Sequence, residues 1–264
     1  MKKQLKTTIG ITTAAVTLAA SSTFGATLFD SQGFEAPTYN LGNLVGQNGW
    51  VVDPAANSGV AQVQNTVFKT GSQAVRMSGG STTWAWPDLG YTPAAGEFVR
   101  VSFDVQRSSF GAANNFGYFV DIYDTTGARI ARSGLTRTGT STAPGSVQAL
   151  ATIGGATPGS FLIGSPLLNN TWYSFAVDLN FTADTYDVRI DGSLISAGLP
   201  FVVAANGVGD ADLQLSGATG ATDSGYFDNY MVEALVIPEP TAMSLVLLGL
   251  AGLGGRAWLG RRQV

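Results

Sequence analysis

From Phe98 to Gln106 the chain alternates without a break. Val99, Val101, Phe103 and Val105 point one way, and Arg100, Ser102, Asp104 and Gln106 point the other. A period of two belongs to an extended strand with one buried face; a helix cannot present it. The same pattern returns in Trp172 to Phe181, where Tyr173, Phe175, Val177, Leu179 and Phe181 alternate with smaller or polar residues, and in Thr185 to Asp191 through Tyr186, Val188 and Ile190. The short connection from Thr182 to Asp184 predicts a hairpin, and Asp191-Gly192 predicts a second turn into Ser193 to Ser196, a three-strand meander. Shorter strands are expected at Gly59 to Val63, Gln73 to Met77, Thr82 to Trp86, Phe116 to Asp124, Arg129 to Ser133, Val147 to Ile153, Leu213 to Ser216 and Tyr226 to Ala234. No helical period runs between Thr27 and Val236, and Thr136 to Ser146 reads as a low-complexity loop. This many short strands predicts an all-β, two-sheet antiparallel sandwich.

Composition narrows the chemistry. The chain has neither histidine nor cysteine. That excludes Ser-His-Asp and Cys-His triads, His-ligated zinc, thiolate chemistry and disulfides. Between Thr27 and Val236 eight basic residues face seventeen acidic ones, so nucleic acid is not expected as a partner.

The two ends differ from the middle. Lys2, Lys3 and Lys6 precede an uncharged stretch, Thr7 to Ala20, and a small-residue region, Ser21 to Ala26. This order is that of a secretory signal peptide, expected as a helix over residues 1–26 and cleaved between about Ser22 and Ala26. At the other end, residues 237–264 carry Pro238, Glu239 and Pro240, an uncharged stretch from Ala242 to Gly255, and then Arg256, Arg261 and Arg262. Extended to Leu259, the apolar stretch reaches the short end of the roughly 17 to 25 residues that cross a bilayer. Gly249, Gly252, Gly254 and Gly255 suit a membrane span better than a soluble helix, and terminal arginines place its end on the cytoplasmic side. The tail resembles the PEP-CTERM sorting signal of Gram-negative bacteria, with Ile237 where that family most often has Val. The resemblance implies export through the secretion machinery, transient anchoring in the inner membrane, processing by the membrane peptidase exosortase, and a final place in the cell envelope, at the cell surface or in the extracellular matrix of a biofilm. One domain, residues 27–236, is expected between the two targeting segments.

Two runs in that domain carry a second resemblance. Phe34-Glu35, Gly42-Asn43-Leu44 and Gly46-Gln47-Asn48-Gly49-Trp50 resemble the opening of concanavalin A-like, laminin G-like domains. Tyr226-Phe227-Asp228-Asn229-Tyr230 is similar to the closing strand of such jelly rolls and of carbohydrate-binding modules, and Gly71 to Met77 lies between. The resemblance implies a jelly-roll sandwich. It also implies a structural calcium held by Glu35 near the first strand and Asp228 on the last, with backbone carbonyls and Asp30 completing the six to eight oxygens calcium prefers.

Sugar rings stack on flat aromatic faces, while Asp and Asn bond hydroxyls. Trp84 and Trp86 face one way on their strand, and Phe119, Asp121 and Tyr123 form the less apolar face of another, with Asn114 and Asn115 beside them. These are the expected ligand residues for an exopolysaccharide; an adhesive or structural role without a specific ligand is the first alternative and a glycoside hydrolase the second. A carboxylate pair is the one hydrolytic device left. The glutamates Glu35, Glu97 and Glu233 form none, and the nearest acidic cluster, Asp187 and Asp191 with Arg189 and the neighbouring Asp178, reads as a solvated sheet face. Catalysis is therefore not expected.

Overall fold

The computed structural model describes residues 25–52, 60–79, 82–108, 117–137, 147–154, 159–216 and 224–236. Residues 1–24 of the expected leader, the C-terminal residues expected to form a sorting signal (Pro238, Glu239, Pro240, Arg256, Arg261 and Arg262), and Asn114 and Asn115 all lie outside the described residues. Among the described residues no helix is long and apolar enough to cross a membrane.

Two antiparallel sheets face each other. The first contains β1 (Thr27–Asp30), β2 (Gly42–Asn43), β4 (Val60–Gln64), β5 (Ala74–Ser78), β7 (Glu97–Ser108), β12 (Trp172–Asn180), β13 (Thr185–Ile190), β14 (Ser193–Pro200) and β16 (Ser224–Val236). Its order is β14-β13-β12-β7-β16-β5-β4-β2, with β1 also paired to β16. The second contains β3 (Trp50–Val51), β6 (Thr82–Tyr91), β8 (Gly117–Tyr123), β9 (Arg129–Arg137), β10 (Val147–Ile153), β11 (Gly159–Leu167) and β15 (Val208–Ser216). Its order is β11-β10-β9-β8-β15-β6-β3. The chain passes from one sheet to the other at β2 to β3, β3 to β4, β5 to β6, β6 to β7, β7 to β8, β11 to β12, β14 to β15 and β15 to β16. Spatial neighbours are therefore mostly distant in sequence, as in a jelly roll.

Alternation decides what enters the core. On β7, Val99, Val101, Phe103 and Val105 are buried against the opposite sheet, and β12 answers with Tyr173, Phe175, Val177 and Leu179. The predicted hairpin is present, with Asn180 opposite Thr185, and β14 adds the third strand of the meander. From the second sheet come Tyr118, Val120 and Ile122 of β8 and Ala211, Leu213 and Leu215 of β15. The outer face of β7 is less solvated than its polar residues suggest, for Asp104 and Gln106 are buried as well.

Strand β11 (GSFLIGSPL) is absent from the predicted set, and its position explains why. It is an edge strand paired only with β10 and almost wholly exposed, so it needs no hydrophobic alternation.

The motifs at the two ends of the domain meet. Trp50 is fully buried and donates its indole N–H to the Tyr39 hydroxyl at 3.0 Å. Its ring packs edge-on against Phe29 at 5.6 Å and Tyr230 at 5.4 Å, while Phe34 packs on Tyr39. Tyr230 in turn donates to the Ala211 carbonyl. First strand, last strand and central strand β15 are thereby joined through one aromatic cluster, which offsets the absence of disulfides.

Candidate functional site

Strand β15 lies between β6 and β8, and this places the expected ligand residues side by side on the outer face of the second sheet. Gln214 stands opposite Trp84 on one side and Phe119 on the other. Asp212 stands opposite Asp121, and Asp121 opposite Arg132 of β9. A third row runs from Asp88 through Asp210 and Tyr123 to Arg129. Trp86, on the same face of β6 between Trp84 and Asp88, falls between the outer rows. Trp84, Trp86 and Tyr123 are half-buried, Asp88 is exposed, and Phe119 is buried.

The expected ligand carboxylate, Asp121, has protein partners of its own. Asp121 is 0% exposed, and Arg132 grips it with two hydrogen bonds, from Nε to Oδ1 and from Nη2 to Oδ2. Arg129 approaches Asp121 Oδ2 at 3.5 Å. Arg132 also donates to Gln214 Oε1, and its guanidinium lies 4.8 Å from the Phe119 ring centre. Asp121 and Phe119 thus fix Arg132 from two sides; they build the floor of the face and leave its aromatic surface to Trp84, Trp86 and Tyr123. Burial, with Asp121 and Asp212 nearby, pushes the Tyr123 phenol well above its ordinary range, so it remains a hydrogen-bond donor.

Asp210 and Asp212 belong to this face and were missed in the sequence. Two residues apart on β15, they project to the same side, and each has a buried oxygen, Oδ1, with no hydrogen-bond partner among the described residues. Asp212 is 6% exposed. Burial, reinforced by the neighbouring Asp210, pushes its carboxyl up to about 9, which favours the protonated acid. Burial also raises Asp210. The spacing Asp-Ala-Asp followed by Leu213 and Leu215 was the available signal, but the strand was expected to begin only at Leu213.

Glu35 and Asp228 close on one loop from opposite sides. Glu35 Oε1 accepts the amides of Ser72 at 2.7 Å and Gln73 at 2.8 Å, and Oε2 accepts the Ser72 hydroxyl at 2.6 Å. Burial works to raise Glu35, but the Ser72 hydroxyl and the two amides outweigh it and hold the carboxyl below its ordinary value. Asp228 Oδ2 accepts the amides of Lys69 at 2.9 Å and Thr70 at 3.1 Å, and Oδ1 accepts that of Asn229 at 2.8 Å. Burial raises Asp228 to about 6 despite these amides. All four carboxylate oxygens thus face donors, and a calcium ion there would have to replace them. Among the described residues no group of three or more metal-binding side chains gathers. Beside the loop, Lys69 Nζ and Asn229 Nδ2 donate to the two oxygens of Asp104, each at 2.7 Å.

The acidic cluster on the first sheet is held by ion pairs. Asp178 faces Asp187 across the hairpin and accepts from Arg100 at 2.6 Å and Arg189 at 3.2 Å. Asp187 accepts the Gly198 amide and Asp191 the Ser174 amide. These contacts brace strands.

No protein-family model matches the chain, and no curated protein matches it. Solved structures do. The conserved carbohydrate esterase from the Shiga toxin-encoding bacteriophage phi24B aligns with 72% of this chain and 91% of its own length, at TM-score 0.52 and 17% identity. The cellulose-induced protein Cip1 aligns with 73% of this chain and 94% of its own, at TM-score 0.47 and 16% identity. A sialidase aligns with 70% of this chain, which spans only 17% of the sialidase's length, at TM-score 0.47 and 12% identity. At 17% identity the likeness to the esterase is one of fold alone, an all-β sandwich.

Proposed function

We propose that this chain is a non-catalytic carbohydrate-binding protein whose ligand lies on the outer face of the second sheet. The observation that carries the reading is the pair Trp84 and Trp86, half-buried on one strand face, next to a strand that sets Gln214 opposite Trp84 and Asp210 opposite Asp88. An aromatic plane flanked by fixed polar groups suits a sugar ring, apolar on its faces and hydroxylated at its rim. The fold shared with a carbohydrate esterase is compatible with this and argues for the architecture alone. Binding of the chain to a panel of bacterial and plant polysaccharides, lost in Trp84→Ala and Trp86→Ala while both variants keep the wild-type unfolding midpoint, is the test. Uniformly negative binding would favour the structural or adhesive alternative.

The tail and leader extend the proposal to location: an exoprotein exported through the secretion machinery, sorted by exosortase and placed at the surface or in an exopolysaccharide matrix. Its support is the order Pro-Glu-Pro, apolar stretch, arginines. Loss of the C-terminal mass in cells with exosortase, and retention in the inner membrane without it, tests it. Calcium is proposed on resemblance alone as an ion that would take over the clamp of Glu35 and Asp228. A rise in unfolding midpoint on adding calcium, abolished in Glu35→Gln, is its test.

A further inference from the structure

The sequence holds two Asn-x-Ser/Thr triplets, Asn169-Asn170-Thr171 and Asn180-Phe181-Thr182. In an exported chain this triplet is the acceptor pattern for an N-linked glycan, and it belongs on an exposed loop. The fold treats the two differently.

Asn180 ends β12 and opens the turn into β13. Its Oδ1 accepts the backbone N–H groups of Thr182 and Ala183, each at 3.1 Å, so the side chain closes the turn as a backbone carbonyl would. Those two donors fix which end of the amide is oxygen. Nδ2 is the end left over: it has no hydrogen-bond partner among the described residues and is not a buried orphan, so it faces solvent. Thr182 and Ala183 are exposed. Attachment of a sugar replaces one N–H of Nδ2 and keeps the carbonyl, so the modification spares the atom the turn depends on. Beside the turn a cleft of about 230 Å³ lies between Phe181 and Thr182 on one side and Pro93, Ala94 and Ala95 on the other. The Glu97 carboxylate at its edge is already engaged by the Tyr91 hydroxyl and the Ala94 amide, which leaves mostly small, uncharged surface for a first sugar ring to lie on.

Asn169 offers none of this. Its Oδ1 is buried without a partner. Asn170 sits in the left-handed region at φ +56° with its amide donated to the Arg107 carbonyl. The Thr171 hydroxyl, which the acceptor pattern requires, donates to the backbone carbonyl of Asn169 at 3.3 Å.

We infer that Asn180 is a glycan attachment site and that Asn169 is not. This rests on the export reading above, since the donor is a lipid-diphosphate-linked oligosaccharide handled outside the cytoplasmic membrane by an oligosaccharyltransferase. In the transfer a bond forms between Asn180 Nδ2 and the anomeric carbon, and the bond from that carbon to the diphosphate oxygen breaks. The lipid diphosphate leaves with the electron pair, and Nδ2 gives up one proton.

The experiment is peptide mass spectrometry of the full chain, produced with its leader in a Gram-negative host that carries an N-linking oligosaccharyltransferase and a polyprenyl-diphosphate-linked oligosaccharide. The peptide containing Asn180 is expected to carry the oligosaccharide. The added mass is expected to vanish in Asn180→Gln and Thr182→Ala and to persist in Thr182→Ser and Asn169→Gln. Thr182→Ala keeps the backbone N–H that Asn180 accepts, so its loss of glycan does not come from a broken turn. Exported chain with Asn180 bare, addition at Asn169 instead, or addition at Asn180 that is indifferent to Thr182→Ala would each overturn the inference and leave the export reading standing. Chain that stays in the cytoplasm would overturn both.

Discussion

Trp84 and Phe119, on strands separated by β7 in the chain, stand level across the second sheet, each opposite Gln214. Phe119 lies beneath Arg132 and is buried, while Trp84 keeps part of its ring in solvent. The two therefore differ in what they control. Phe119→Ala should destabilise the fold by about 3 to 5 kcal/mol, as removal of a buried phenyl does. Trp84→Ala should leave chemical denaturation nearly unchanged and reduce polysaccharide affinity. Equal loss of stability in both would place Trp84 in the core and remove it from the ligand surface.

Asp121 is fully buried between two guanidinium groups. Asp121→Asn keeps the shape and removes the charge, leaving Arg132 and Arg129 without their counter-ion. A loss of about 3 to 5 kcal/mol in urea unfolding is expected from a broken buried pair. A neutral result would mean that Gln214 and Phe119 alone hold Arg132.

Asp212 makes stability depend on pH in a predictable direction. Its carboxyl titrates at about 9 in the folded chain against 3.8 ordinarily, so folding binds a proton throughout the interval between. A raised carboxyl contributes stability that is complete below about pH 4 and declines as pH climbs toward 9, by at most about 1.4 kcal/mol for each pH unit. Asp228, raised to about 6, adds the same sign of slope in its own lower window. Above pH 6 the difference between the wild type and Asp212→Asn isolates Asp212: the variant should gain on the wild type steadily up to pH 9. Parallel curves would show that Asp212 is ionised in the folded protein.

Gly71 tests the clamp. Its φ of +65° is one that side chains disfavour, and a Cβ there would lie 2.3 Å from Glu35 Oε1. Gly71→Ala should cost about 1 to 3 kcal/mol, combining backbone strain with displacement of the carboxylate. Gly127→Ala, at φ +83° but with open space around it, serves as the control for strain alone. Equal effects at both sites would show that Glu35 contributes nothing to holding the loop.

Strands that bury one face were legible because burial imposes alternation: β7, β12 and β13 were located almost to the residue. β11 was not, since an exposed edge imposes none. β15 was read too short, because Asp210 and Asp212 look like loop residues until a neighbour is known to cover them. The two motif runs, far apart in the chain, meet in the fold, where Trp50 of one and Tyr230 of the other pack in one aromatic cluster with Phe29.

The sequence alone determined which residues are extended, which face of each strand is apolar, and which chemistries have no side chains to perform them. All three are local properties: pleat geometry fixes sidedness within a strand, and composition is independent of position. The tertiary structure decided which strands became neighbours. Period two assigns a residue to a face and says nothing about the strand beside it, since pairing between distant segments is settled by the packing of the whole core. The insertion of β15 between β6 and β8 set Asp210 and Asp212 beside two tryptophans and an arginine-bound aspartate, and from that placement the candidate site arises.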